Sequence, residues 1–368
     1  MNIGMFITPN HTVPPDDPAI AAPWYIACDL SDALTRRGNV SVSLFAPSGS
    51  KTTAILYDFD IPPTIRMVSS LPKEAYQEKE AADEAFFFQR MIEVGKEKNI
   101  TLFHLHQSFR MYPLIAKAPK GCSFLITLHD PMMGKKRDSL EELSVFPNCS
   151  FVSISDAQRG DVKARFAGTV HHGLVLENFP FSNAIGSGFS VFGRIIQVKG
   201  QDDAIVAARQ IGAPLIIIGE AVRDTEENRK FWEERIVPTI DGSHVRYVPV
   251  IDRSDLPTYY QHTKAILMPI KWEEPFGLVM IEAMACGTPV IAYNLGAMRE
   301  LIEDGKNGFL VEANDLEGLA KAARKIYAMP EEEYRKMRRN CRRHVEENFT
   351  VEKMVDGYEM VYKKVISG

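Results

Sequence analysis

Trp272-Glu-Glu-Pro-Phe-Gly-Leu-Val-Met-Ile-Glu-Ala-Met-Ala-Cys-Gly-Thr-Pro-Val-Ile-Ala292 holds a loop, a helix, a stop and a buried strand in unbroken succession. Gly277 allows backbone angles closed to other residues immediately before a run of helix formers, and Gly287 ends that run. The short apolar Val290-Ile-Ala292 then reads as a strand covered on both faces, as in a parallel sheet. Small residues such as Ala283 and Ala285 let such a helix lie close on the sheet and fix its N-terminus. The unpaired amides of the first turn, with the positive end of the helix dipole, form a ready seat for an anion. Glu282, inside the helix, can reach the hydroxyls of a ligand whose phosphates rest there. Glu274, before the turn, can accept from hydroxyls at the ligand's other end. An isolated pair of glutamates at this spacing is more often ordinary surface, so the flanking residues carry the inference.

Working outward, short apolar runs alternate with longer amphipathic stretches, the rhythm of parallel α/β architecture. In the first half the pattern predicts strands at Asn2–Ile7, Ser41–Ala46, Leu102–His106, Ser123–Leu128 and Ser150–Ser153, with helices at Trp24–Arg37 and Lys79–Lys98. The second half predicts strands at Phe189–Phe192, Pro214–Ile218, Val245–Val248, Ala265–Met268 and Pro289–Ala292. Its helices are expected at Gln201–Ile211, Leu278–Cys286, Gly296–Glu303 and Leu316–Ala328. Glu177–Gly188 turns to Asn, Pro, Ser and Gly, which suits a linker. The expected plan is an N-terminal domain over 1–176, a linker over 177–188 and a C-terminal domain over 189–349. Two such sheets imply a cleft in which ligands gather beyond the strands' carboxyl ends.

Phe192-Gly-Arg-Ile-Ile-Gln-Val-Lys-Gly200 puts Arg194 and Lys199 just after the second half's first strand. Two fixed cations there suit a diphosphate and would stabilise charge growing on a departing nucleotide. Alone, they would more often be surface decoration.

Composition narrows the classes. The 368 residues carry a net charge of −5, with 45% apolar and 25% charged residues. Neither half is basic, which argues against a nucleic-acid footprint. Five widely spaced cysteines without a Cys-x-x-Cys pair fit neither a disulfide framework nor a structural zinc site, and point to a reducing compartment. No apolar run approaches the roughly 20 residues of a membrane helix. The N-terminus lacks a signal-peptide pattern. The expected location is the cytoplasm, free or peripheral at the inner membrane face. No Gly-x-Gly-x-x-Gly follows the first strand, so a nicotinamide enzyme is a poor reading. His104 and His106 share one strand face and could be read as metal ligands, but core or cleft lining is the more frequent role. Lys135-Lys-Arg137 reads as a solvated loop, and Arg335–Arg343 as a charged helix face.

Gly193-Arg194…Lys199-Gly200 with Glu274-Pro-Phe-Gly…Glu282-Ala-Met-Ala-Cys-Gly-Thr-Pro-Val-Ile resembles the retaining, nucleotide-sugar-dependent glycosyltransferases of family 4, the group 1 glycosyltransferases. Ile154-Ser-Asp-Ala-Gln158, His172-Gly-Leu and Asp304-Gly-Lys-Asn-Gly308-Phe-Leu extend the likeness along the chain. The resemblance implies the GT-B fold, α/β with two Rossmann-like parallel-sheet domains facing across a deep cleft, the first binding acceptor and the second donor. It implies that the C-terminal helix over 350–368 packs back on the first domain. By it, Arg194 and Lys199 bind the donor diphosphate, Glu282 grips the ribose and Glu274 the donor sugar. Amides of Phe276, Gly277, Leu278 and Val279 hold sugar and phosphate, and His129 faces the donor sugar at the reacting centre.

It further implies hexosyl transfer with retention by front-face substitution, with no cofactor and no essential metal. UDP-glucose is the first donor expected. The acceptor hydroxyl belongs to a small molecule or glycan in preference to a lipid. Many family members carry Gly-Gly in the first loop, where this chain has Ala21 and Ala22 followed by Pro23. Ala21, Ala22, His104 and His106 are therefore the residues expected to shape the phosphate or acceptor loop. Alternatives are a non-catalytic nucleotide-sugar-binding protein, in which that altered loop has abolished transfer, or a sugar-nucleotide epimerase.

Overall fold

The computed structural model describes residues 1–16, 18–106 and 111–367. The chain forms two compact units. The first is built from Met1–Asp16, Ala21–Gly173 and Val351–Gly368, the second chiefly from Leu174–Thr350.

The first unit holds a parallel sheet of seven strands: β1 Asn2–Ile7, β2 Ser41–Phe45, β3 Ile55–Tyr57, β4 Leu102–His106, β5 Ser123–Thr127, β6 Cys149–Ser153 and β7 Phe166–Thr169. Their order is β3-β2-β1-β4-β5-β6-β7. All five residues of β4 are buried, as expected of a central strand covered by helices on both faces. Phe6, Phe45, Phe87, Phe103, Phe124 and Phe151 fill the core on one side. The Ala22–Arg37 helix ends at Gly38 in the left-handed region, where Leu30 and Leu34 have been buried. The Val351–Ser367 helix belongs to this unit. It buries Tyr358 and Tyr362, sets Asp356 against Arg37, and donates from Lys364 to the carbonyl of Ala167.

The second unit holds six parallel strands: β8 Phe189–Phe192, β9 Leu215–Ile218, β10 Val245–Val248, β11 Ala265–Met268, β12 Val290–Tyr293 and β13 Gly308–Val311. The order β10-β9-β8-β11-β12-β13 reverses direction between β8 and β11. Loops leaving the carboxyl ends of two strands at such a switch point diverge and leave a crevice. The loop after β8 carries Arg194 and Lys199, and the loop after β11 carries Glu274.

Several elements depart from the sequence reading. Strands β3, β7 and β13 were not expected; β3 has only three residues, and β7 and β13 each contain a glycine, which weakens a strand signal. The first unit's long helix starts at Lys73 rather than Lys79; its first turns are polar and give no periodic signal. Lys135-Lys-Arg137 is the first turn of the Lys135–Leu143 helix, not a loop, with Lys136 paired to Asp130 and Arg137 to Asp161. Arg335–Arg343 does lie on a helix, Glu331–Asn348, but Arg338 is wholly buried rather than solvated. Residues 177–188, read as a linker, are held within the second unit. Arg342 donates to the carbonyl of Phe179 at 2.8 Å, and Arg338 to that of Ser182 at 3.0 Å.

Candidate functional site

The loop after β8 begins at Gly193 and turns through Gln197–Lys199 into the Gln201–Gln210 helix. Gly200 makes the turn at φ 71°, and a Cβ there would stand 2.0 Å from the carbonyl oxygen of Pro269. The glycine therefore lets this loop approach the one leaving β11. Gln201 donates to the carbonyl of Arg194 at 2.9 Å, fixing the backbone. The Arg194 side chain is exposed and, among the described residues, makes no ion pair.

Lys199 is held differently. Its Nζ donates to Oε2 of Glu274 at 2.6 Å and lies 4.9 Å from the centre of the Trp272 ring, whose Nε1 donates to the same oxygen at 2.6 Å. Oε1 of Glu274 takes no hydrogen bond among the described residues and stays open to a ligand hydroxyl. A residue expected on the donor diphosphate and one expected on the donor sugar are thus brought together. Trp272 sets both, though the sequence reading quoted it without assigning it a role.

Gly277, at φ 102°, opens the Leu278–Ala285 helix, and no side chain caps its first turn. That angle is what requires glycine here, since the nearest atom to an added Cβ is the movable end of the Met280 side chain. Phe276 is buried against Phe349, while Leu278 and Val279 are half-buried at the helix start. Amides without a side-chain cap at this helix start make an anion seat in the sense of helix-terminus phosphate sites.

Glu282 lies deeper than the sequence suggests. It is buried, with Oε1 accepting from Arg253 at 3.2 Å and Oε2 from the hydroxyl of Tyr260 at 2.9 Å. Burial raises its pKa, and the Arg253 charge and the Tyr260 hydrogen bond oppose that rise. A ribose reaching Glu282 would share a carboxylate that already has two donors. Arg253 and Tyr260 lie in a loop and a short helix whose spacing carries no motif, and sequence reading missed them.

In the first unit four histidines stack in a row. His104 and His106 lie on β4 with ring centres 4.3 Å apart; His129, just after β5, is 5.3 Å from His106; His172 is 5.2 Å from His129. Nδ1 of His106 is 3.1 Å from Nε2 of His129. His104 bonds the hydroxyl of Tyr362 through Nδ1 at 2.8 Å and that of Thr127 through Nε2 at 2.7 Å. Burial depresses all four, to about 3 for His104 and about 4 for His129, so the row is uncharged at neutral pH. The sequence placed His104 and His106 on one face; it gave no sign that His172 joins them.

Ala21 precedes the Ala22–Arg37 helix with φ −128°, so its methyl group meets no backbone strain. Pro23 supplies no amide to that helix start, and Trp24 donates from Nε1 to the carbonyl of Thr8 at 3.0 Å. An Asp-x-Asp spacing overlooked in the sequence, Asp58-Phe-Asp60, closes on itself: the Asp60 amide donates to Asp58 Oδ1. Among the described residues no three of His, Cys, Asp and Glu converge to hold a metal ion. Nor is any described helix long and apolar enough to cross a membrane.

Residues 189–344 match the family model of the Glycosyl transferases group 1. The match spans most of the second unit and likens it to the group 1 glycosyltransferases. The chain is 24% identical over 302 residues to spore coat protein SA of Bacillus subtilis, covering 73% of this chain and 80% of that one. Its fold matches sucrose-phosphate synthase from Thermosynechococcus elongatus with a TM-score of 0.76 at 20% identity, over 100% of this chain and 99% of the other. Anabaena Alr3699/HepE in complex with UDP-glucose matches with a TM-score of 0.71 at 17% identity, over 100% of both chains. The chain therefore has the GT-B fold of these glycosyltransferases.

Proposed function

We propose that this glycosyltransferase moves a hexose from a nucleoside diphosphate sugar to an acceptor hydroxyl with retention of configuration. The observation that carries the reading is the grouping at the β8–β11 switch point: the exposed, unpaired Arg194, the Lys199–Glu274 pair and the uncapped helix start at Gly277. Arg194 and the amides would take the diphosphate, and Oε1 of Glu274 a sugar hydroxyl. Fixed positive charge at the leaving diphosphate would supply much of the rate enhancement. Retention by two carboxylates would need a nucleophile about 5 Å from an acid. Glu274 is instead committed to Lys199 and Trp272, which supports front-face substitution with the leaving phosphate assisting the acceptor. UDP-glucose is the donor we favour, the ligand in the similar Anabaena structure. The acceptor is a small molecule or glycan, and no metal or cofactor is assigned a role.

The test is release of nucleoside diphosphate from a panel of UDP-, GDP- and ADP-sugars. Arg194→Ala should lower kcat/KM by about 10²–10³-fold with the preferred donor. Release unaffected by Arg194→Ala would overturn the site. Tight donor binding with no release across an acceptor panel would instead mark a binding protein, and conversion of the donor to an isomer an epimerase.

A further inference from the structure

His106 is fully buried, its Nδ1 is 3.1 Å from His129 Nε2, and its Nε2 has no hydrogen-bond partner among the described residues. A neutral imidazole carries one N–H and one lone pair, so two arrangements satisfy the contact. If His129 donates from Nε2, His106 must carry its own proton on Nε2, where a buried N–H would point at no acceptor. If His106 donates from Nδ1, its Nε2 is a bare lone pair. Orphaned buried N–H groups are the rarer and costlier of the two. The ring is also clamped in place, with His104 at 4.3 Å on one side and His129 at 5.3 Å on the other. His104 is itself tied to Tyr362 and Thr127.

We propose that His106 donates from Nδ1 and so holds His129 in the tautomer with its proton on Nδ1. His129 is half-buried, and its Nδ1 has no hydrogen bond to any described residue. It therefore presents a ligand with a donor rather than a base, suited to an oxygen of the donor sugar or acceptor. This role for the donor rests on the proposed function; the tautomer itself does not. His106 is a positioning residue, since it acts through His129.

Histidine-labelled full-length protein at pH 7, read by side-chain nitrogen NMR, tests this directly. Neutral histidine in water favours the Nε2–H form, so the protein's constraint is visible in the shifts. The expected result is His129 protonated at Nδ1, with mixed tautomers in His106→Leu. His106→Asn, whose amide nitrogen stands close to the position of Nδ1, should restore the wild-type form. His129 protonated at Nε2 in the wild type overturns the proposal, whether or not the variants fold. With a donor established, kcat should fall on the order of 10–100-fold in His106→Leu and recover in His106→Asn, with donor KM little changed. A tautomer that shifts without a change in kcat would keep the assignment and remove His129 from transfer. A kcat that falls with the tautomer intact would make the role merely structural and sink the positioning claim.

Discussion

The histidine row of the first unit and the charged clusters of the second meet burial in opposite ways. The first unit packs four imidazoles in and just beyond its strands, each forced neutral by burial, with the hydroxyls of Thr127 and Tyr362 as partners of His104. The second buries charges. Glu282 is held by Arg253 and Tyr260, Lys199 by Glu274, and Arg338 by backbone carbonyls. A neutral polar row tolerates low dielectric cheaply but fails when protonated. A buried charge needs donors or acceptors aimed at it at all times. Under the proposed function, fixed charge in the second unit would serve a dianionic leaving group, and a neutral row in the first would serve sugar hydroxyls.

The sharpest way to break this contrast is Arg338. It is fully buried, and its guanidinium reaches Ser182 O, Cys286 O and the Tyr334 hydroxyl at 3.0–3.2 Å, with no carboxylate among these partners. Cys286 follows the C-terminus of the Leu278–Ala285 helix, where the dipole favours a cation. Arg338→Met should destabilise the second unit by about 3–5 kcal/mol, because two carbonyls lose a charged donor and stay buried. Calorimetry should show one transition falling while the first unit's stays in place. Equal loss from Arg338→Met and an exposed control such as Arg339→Met would mean that the buried charge contributes nothing special.

Arg338 also shows where the sequence stops being legible. The run Arg335–Arg343 reads as surface because five arginines in one helix usually are. Which one points inward depends on carbonyls offered by residues some 50 to 160 positions away, and no local pattern records that. The donor loop was readable for the opposite reason. Gly277, the small residues after it and the strand from Val290 are constrained locally, by backbone angle and close packing, so the chemistry is written in consecutive residues. Trp272 stood inside the quoted stretch, yet its hydrogen bond to Glu274 needed coordinates. Strand β3 escaped because three residues do not establish a period, and β7 and β13 because Gly168 and Gly308 interrupt the apolar signal.

Acid tests the neutral row. The folded pKa of His104 is depressed to about 3 from an ordinary 6.5, so the unfolded chain binds a proton that the folded chain refuses. Stability is fully present above pH 6.5 and is lost as pH falls from there toward the folded value, at about 1.4 kcal/mol per pH unit. By pH 4.5 His104 alone should remove roughly 2–3 kcal/mol. Thermal midpoints from pH 7 to 4.5 should fall for the first unit, and the slope should lessen in His104→Gln. A flat profile would show that the row takes up protons without penalty and that its neutrality is not what distinguishes the two units.

The smallest effect is the most discriminating for the charged side. Tyr260→Phe deletes one of the two donors to Glu282 and leaves Arg253 in place. Losing a hydrogen bond to a charged group at a buried site costs about 1.5–3 kcal/mol, and here Arg253 can re-centre on the carboxylate and recover part of it. About 1 kcal/mol should remain, enough to raise donor KM roughly 5-fold if Glu282 must be held in one rotamer to meet a ribose. The chemical step, centred on Arg194 and the helix amides, should keep its kcat. If Tyr260→Phe lowers the thermal midpoint and leaves KM where it was, the Glu282–Arg253–Tyr260 cluster is part of the fold alone. The second unit would then use its charge for transfer only at Arg194, Lys199 and Glu274.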